Sequence, residues 1–182
     1  KKSELNKAIA GLKLPEEMET YIEIAKALKE YGMDSPAIPD DQMNVKAIDS
    51  KIVDALKPGT TVQIITSKGD IKLSLYPDRA PATVCSFVQL AREGYYNDKA
   101  FHRVVPNFVI QTGCPRGDGF GSLDFTLRSE VAGSYYDDEG YVGMASAGLH
   151  TEGTQFFITH SPTPHLDGRY TIFGKVISGM DI

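Results

Sequence analysis

From residue 60 onward the apolar residues recur at every second position, in short runs broken by Gly, Pro and Asp. TTVQIIT, SKGD and IKLSLYP read as a hairpin turning at Lys68-Gly69, with Ile71, Leu73 and Leu75 alternating with Lys72, Ser74 and Tyr76. FHRVV, FVIQTG, DFTLRSE, YVGMAS, TQFFITH and YTIFGKV follow as further strand-length pieces. One helix interrupts them, APATVCSFVQLAREG (80–94), entered through Pro81 and left through Gly94. Many short strands with frequent turns point to a closed barrel or a sandwich. The strands do not alternate regularly with helices, which argues against a doubly wound parallel sheet.

The first 58 residues follow a different rule. LPEEMETYIEIAKALKEYG (14–32) spaces Met18, Tyr21, Ile22, Ala25 and Leu28 as a helix does. Pro15 suits its first turn, Glu16, Glu17 and Glu19 suit the positive N-terminal end, and Gly32 suits the stop. SELNKAIAGL (3–12) predicts a shorter helix, DSPAIPDDQ (34–42) is looser, and DSKIVDALKPG (49–59) is either a short helix or an extended lead-in. The expected organisation is an N-terminal helical extension, 1–58, and a mainly β domain, 59–182.

Composition removes several classes of function. A hydrophobic content of 41% with 24% charged residues is ordinary for a soluble globular chain. The net charge is −5 and no basic stripe is visible, so nucleic acid is not an expected partner. No apolar run approaches the ~18–20 residues of a membrane span. There is no signal peptide, and the chain opens on Lys1-Lys2 rather than Met, as a processed chain or a fragment does. Localisation is left open between cytoplasm and periplasm. Cys85 and Cys114 do not make a disulfide framework.

Strand faces single out the chemistry-bearing residues. In TQFFIT, Gln155, Phe157 and Thr159 share one face, and Phe156 and Ile158 share the other, the core face. In FVIQ, Val109 and Gln111 share a face. Ordinary surface scatter gives such patterns; so does an apolar pocket edged by hydrogen-bonding amides. Arg103, on one face with Phe101 and Val105, keeps its charge and must reach water, a partner or a ligand. Familiar catalytic templates fail. Ser146 in GMASAG has Met144 where a nucleophile elbow needs Gly. His102, His150, His160 and His165 form no zinc motif. GDGFG (117–121) lacks the spacing of a dinucleotide loop, and Asp137-Asp138-Glu139 lacks that of a calcium loop. Apolar groups, two amides and a fixed positive charge suit a binding groove, or chemistry in which no bond is made or broken. No cofactor or metal is called for.

FHRVVPNFVIQTG, VGMASAG, GTQFFIT and HLDGRYTIFGKV, in that order, resemble the signature blocks of cyclophilin-type peptidyl-prolyl cis–trans isomerases, bacterial members in particular. The resemblance covers about residues 60–182. It implies a closed eight-stranded antiparallel barrel with a capping helix and an active site on its outer face. It implies catalytic roles for Arg103 and Gln111, a proline pocket of Phe108, Val109, Phe157 and Leu166, substrate-backbone contacts at Ala145 and Ser146, and a groove edged by Gln155 and Gly119. His165 stands where many members have Trp, which implies weak cyclosporin binding. Tyr170 replaces a His common in eukaryotic members, and Val109 replaces a common Met. The chain stops at GMDI, short of the family's last helix and closing strand; one barrel edge is then expected to be open, with the N-terminal helices placed to cover it. The implied function is acceleration of rotation about X-Pro bonds in peptides and in unfolded or flexible proteins, a folding-assistant or chaperone role. The alternatives are a proline-segment binding module with little turnover, or an assembly component docking a partner through the N-terminal helices.

Overall fold

The computed structural model describes residues 2–34, 44–133 and 135–182. DSPAIPDDQ lies almost wholly outside them. The elements run α1 (Lys2–Ala10), α2 (Met18–Glu30), α3 (Ser50–Ala55), β1 (Thr61–Thr66), β2 (Gly69–Leu75), α4 (Pro81–Arg92), β3 (Arg103–Val105), β4 (Val109–Thr112), β5 (Tyr141–Met144), β6 (Phe156–Thr159) and β7 (Ile172–Ser178), with a 3-10 turn at Pro164–Leu166.

The strands form one antiparallel sheet in the order β1-β2-β7-β5-β6-β4-β3. The mainly β, antiparallel class read from the sequence is what the chain adopts. The strand count is a correction: the described residues give seven strands in a curled sheet, with β1 and β3 at its edges, rather than a closed barrel of eight. DFTLRSE accounts for much of the difference. The stretch buries Phe125, Thr126 and Leu127 but joins no ladder. It makes single bridges, Thr126 with Val45 and Leu127 with Glu152.

The core lies between the sheet and α4. Ile71, Leu73 and Leu75 of β2, Val142 and Met144 of β5, Phe156 and Ile158 of β6 and Phe173 of β7 meet Val84, Phe87, Val88 and Leu90 of α4. The Phe87 ring lies 5.0 to 5.4 Å from those of Phe173, Tyr96 and Phe156; burial of each such ring stabilises the fold by about 2–3 kcal/mol. Ala80 offers α4 no side-chain cap. The Glu130 carboxylate does so from a distant loop, accepting from Ala82 N (3.1 Å), Thr83 N (2.9 Å) and Thr83 Oγ1 (2.8 Å).

Two boundaries differ from those the sequence predicts. The first hairpin turns at Ser67-Lys68, because Gly69 already pairs with Thr66; the Thr66 hydroxyl accepts from Lys68 N and Gly69 N. The second helix starts at Met18, not Pro15, since Glu17 is used earlier, in a turn where its carboxylate accepts from Lys13 N. The undecided 49–59 stretch contains helix α3, whose Asp49 side chain accepts from Lys51 N.

Helices α1 and α2 pack on each other through Ile9, Met18, Tyr21 and Leu28, a cluster separate from the main core. One β-domain residue, Ala147, packs against this cluster, and Ser122 N donates to Glu16 O at 3.0 Å. These anchors set the helical pair over the loops around residues 122 and 147, instead of along a sheet edge as the sequence suggested.

Candidate active site

The stretch FHRVVPNFVIQ folds back on itself. Pro106 and Asn107 occupy the two central positions of a turn closed by Phe108 N donating to Val105 O. Asn107 takes φ 59, the left-handed value that a type II turn needs at its second central residue and that Asn tolerates. The turn puts Arg103 opposite Gln111 and Val105 opposite Val109. Gln111 in turn faces Phe157 on β6, and Phe157 faces Gly143 on β5. Residues opposite one another across a sheet project to one side, so Arg103, Gln111 and Phe157 share a face. A Cβ on Gly143 would run into the Phe157 ring and the Tyr136 hydroxyl; glycine there leaves room for the aromatic floor.

A cavity of about 220 Å³ opens on this face. Eleven of the twelve candidate residues line it: Arg103, Phe108, Val109, Gln111, Gly119, Ala145, Ser146, Gln155, Phe157, Leu166 and Tyr170. The twelfth, His165, is exposed on the rim and stacks on Phe108 at 5.4 Å. The apolar part is built from β4, β6 and the 3-10 turn, as Val109, Phe157 and Leu166 pack in one cluster flanked by Phe108, Ala145 and Tyr170. Tyr170 meets Phe157 edge-on at 5.8 Å.

The polar part is a relay of side chains. Arg103 Nη1 donates to Gln111 Oε1 at 3.3 Å, and Gln111 Nε2 donates to Gln155 Oε1 at 3.0 Å. Gln155 Nε2 donates to the carbonyls of Gly119 and Gly121, each at 3.0 Å. The guanidinium also lies 5.7 Å from the Phe108 ring centroid. Each member of the relay thus orients the next, and the charge at its end stays exposed. Gly119 is held by Asp118, whose carboxylate accepts from Phe120 N at 2.8 Å and pairs with Arg116 at 2.8 Å. Behind it, burial holds the His102 imidazole below its ordinary pKa.

The sequence reading missed one lining residue, Glu19 of α2. Its Oε1 lies 3.4 Å from Gln155 Nε2. Burial is the main cause that raises its pKa, its own backbone N–H opposes this, and the Asp118 charge adds to the rise. In the sequence Glu19 is one of several acids at a helix start, and nothing local marks it for a distant groove.

Comparison with known proteins gives a consistent result. Residues 61–182 match the family described as cyclophilin type peptidyl-prolyl cis-trans isomerase/CLD. The chain is 50% identical over 112 residues to peptidyl-prolyl cis-trans isomerase B of Bacillus subtilis, covering 61% of this chain and 78% of that protein. It is 45% identical over 128 residues to peptidyl-prolyl cis-trans isomerase cyp15 of Rhizopus delemar, covering 68% of this chain but only 20% of that longer protein. Among solved structures, a Cryptosporidium parvum cyclophilin type isomerase crystallised in the presence of the dipeptide Ala-Pro superposes with a TM-score of 0.65 at 38% identity, over 67% of this chain and 81% of that one.

Proposed function

This chain belongs to the cyclophilin-type peptidyl-prolyl cis–trans isomerases, and on that premise we propose that the groove beside Arg103 binds X-Pro segments and accelerates rotation about their prolyl bond. The reaction crosses ~18–20 kcal/mol because amide resonance resists twisting. The cis and trans ground states differ by only about 0.5–1 kcal/mol, so catalysis acts on the barrier. Twisting localises an electron pair on the prolyl nitrogen. A guanidinium N–H aimed at that nitrogen interacts more strongly with the twisted than with the flat amide, which is what lowers a barrier.

In this reading Phe108, Val109, Phe157 and Leu166 hold the pyrrolidine ring, and Ala145 and Ser146 offer backbone to the substrate chain. Gln111 and Gln155 are positioning residues that hold the Arg103 side chain. The Ala-Pro dipeptide present with the related Cryptosporidium parvum isomerase supports a proline-centred ligand. Weak cyclosporin binding belongs to the same proposal, with His165 on the rim beside Phe108. The observation that carries it is the fixed charge of Arg103 at the edge of an apolar hollow, tied to it through Gln111.

The test is an NMR exchange or coupled assay on an Ala-Pro peptide with the parent and Arg103→Ala. The parent should accelerate exchange, and the variant should lose at least about a hundredfold, as when a transition-state donor is removed. An unchanged rate in the variant would refute the role given to Arg103.

A further inference from the structure

The match to the isomerase family begins at residue 61, yet one wall of the groove comes from residue 19. Glu19 lines the proline-sized cavity and also a larger neighbour of about 490 Å³. The two cavities share Gly119, Ser146 and Tyr170 as well, so a chain seated in one passes directly into the other. Two contacts fix α2 at this place, Ser122 N to Glu16 O and Ala147 against the helical cluster.

Apart from its own backbone N–H, the Glu19 carboxylate lacks the close partners that a buried anion needs. Its Oε1 is the third and longest acceptor at Gln155 Nε2, at 3.4 Å against 3.0 Å for each of the two glycine carbonyls. A side-chain amide has two hydrogens, and both are committed to those carbonyls. Its Oε2 is buried with no hydrogen-bond partner among the described residues. The nearby cations are engaged elsewhere: Lys26 pairs with Glu23 at 2.6 Å, Arg116 with Asp118 at 2.8 Å, and Arg103 bonds Gln111 at 3.3 Å. Arg169 shares the larger cavity with Glu19, but no ion pair joins the two among the described residues. The beginning of a salt bridge is therefore present beside the proline pocket without its cation.

We propose that Glu19 is a specificity residue that receives the ammonium or guanidinium of a Lys or Arg lying within about two residues of the substrate proline, a reach set by the ~3.3–3.6 Å advance of an extended chain per residue. The inference rests on the isomerase reading above. It makes the N-terminal helices part of the substrate site, and it defines the substrate class as basic proline-containing segments. Such a cation would meet the carboxylate on the side that lines the groove and offset the repulsion from Asp118.

The experiment uses the full chain and three blocked peptides with the cores Lys-Ala-Pro-Lys, Ala-Ala-Pro-Ala and Glu-Ala-Pro-Glu, followed by calorimetric titration and by NMR exchange. The lysine peptide should bind the parent about tenfold more tightly than the alanine peptide, as one charge-assisted contact provides. The glutamate peptide should bind most weakly. Glu19→Gln should bring the lysine-to-glutamate ratio to within about twofold, and Glu19→Lys should invert it, as expected when a local charge pair sets preference; circular dichroism confirms that both variants fold. A ratio that survives both substitutions would assign the preference to the net acidic charge and overturn the proposal. Substitutions that tighten all three peptides alike would also overturn it, by making α2 a mere plug. A parent that accelerates exchange of none of the peptides would sink the isomerase reading, while a binding ratio dependent on Glu19 would still establish the subsite.

Discussion

Glu152 is fully buried, with one carboxylate oxygen accepting from Thr171 N at 3.2 Å and the other without a hydrogen-bond partner among the described residues. Burial pushes its pKa up to about 7 from the ordinary 4.5. Between those values the folded protein holds a proton that the unfolded chain has lost. Stability therefore falls as pH rises from about 4.5 to about 7, and is level above that. Glu152→Gln removes the ionisation, so the variant should be the more stable of the two at pH 8 by on the order of 1–3 kcal/mol, with the advantage shrinking at pH 5. Urea unfolding at both pH values checks this; a parent that gains on the variant between pH 5 and pH 8 would contradict it. At this scale the sequence spoke unevenly. Period two alone placed Val109 with Gln111 and Gln155 with Phe157, because a strand's geometry is local. Arg103 acquired a role only through resemblance. Glu19 and Glu152 carried no signal at all, since each owes its environment to chain more than 15 residues away, Gln155 for one and Thr171 for the other.

At the scale of elements, α4 shows how a helix end is completed from elsewhere. Pro81 opened it legibly, yet the cap is Glu130, 47 and 48 residues downstream of the amides it accepts from. Glu130→Ala leaves the Ala82 and Thr83 amides without that acceptor. It should cost about 1–2 kcal/mol, the usual worth of a helix cap, seen as a lower urea midpoint at unchanged slope; an unchanged midpoint would show that water serves equally well. The same distance dependence explains the strand count. DFTLRSE has strand-like composition, but its bridge partners, Val45 and Glu152, lie far along the chain, which no pattern within seven residues reveals. FHRVV and FVIQTG were legible as two strands because each pattern lies within its own run; the Pro106-Asn107 turn that joins them came from the structure.

At the scale of the molecule, the sheet order explains why the groove is where it is. Strands β5 and β6 have neighbours on both sides and are buried, while β4 and β3 step outward to the sheet's free edge. Arg103 begins β3, a three-residue strand with one paired neighbour, and next to it Val104 is 61% exposed. Local opening costs least where the backbone has few partners and little buried apolar surface. Amide exchange under native conditions should therefore release β3 first, by at least about a hundredfold over β5 and β6; equal protection would show that the hairpin opens only with the whole sheet. If β3 does open first, the guanidinium detaches from Gln111 while the circular dichroism of the sheet is still intact. With the role proposed for Arg103, catalytic competence would then have its own, smaller free energy of opening, and a sample that looks fully folded in mild denaturant would already be partly inactive.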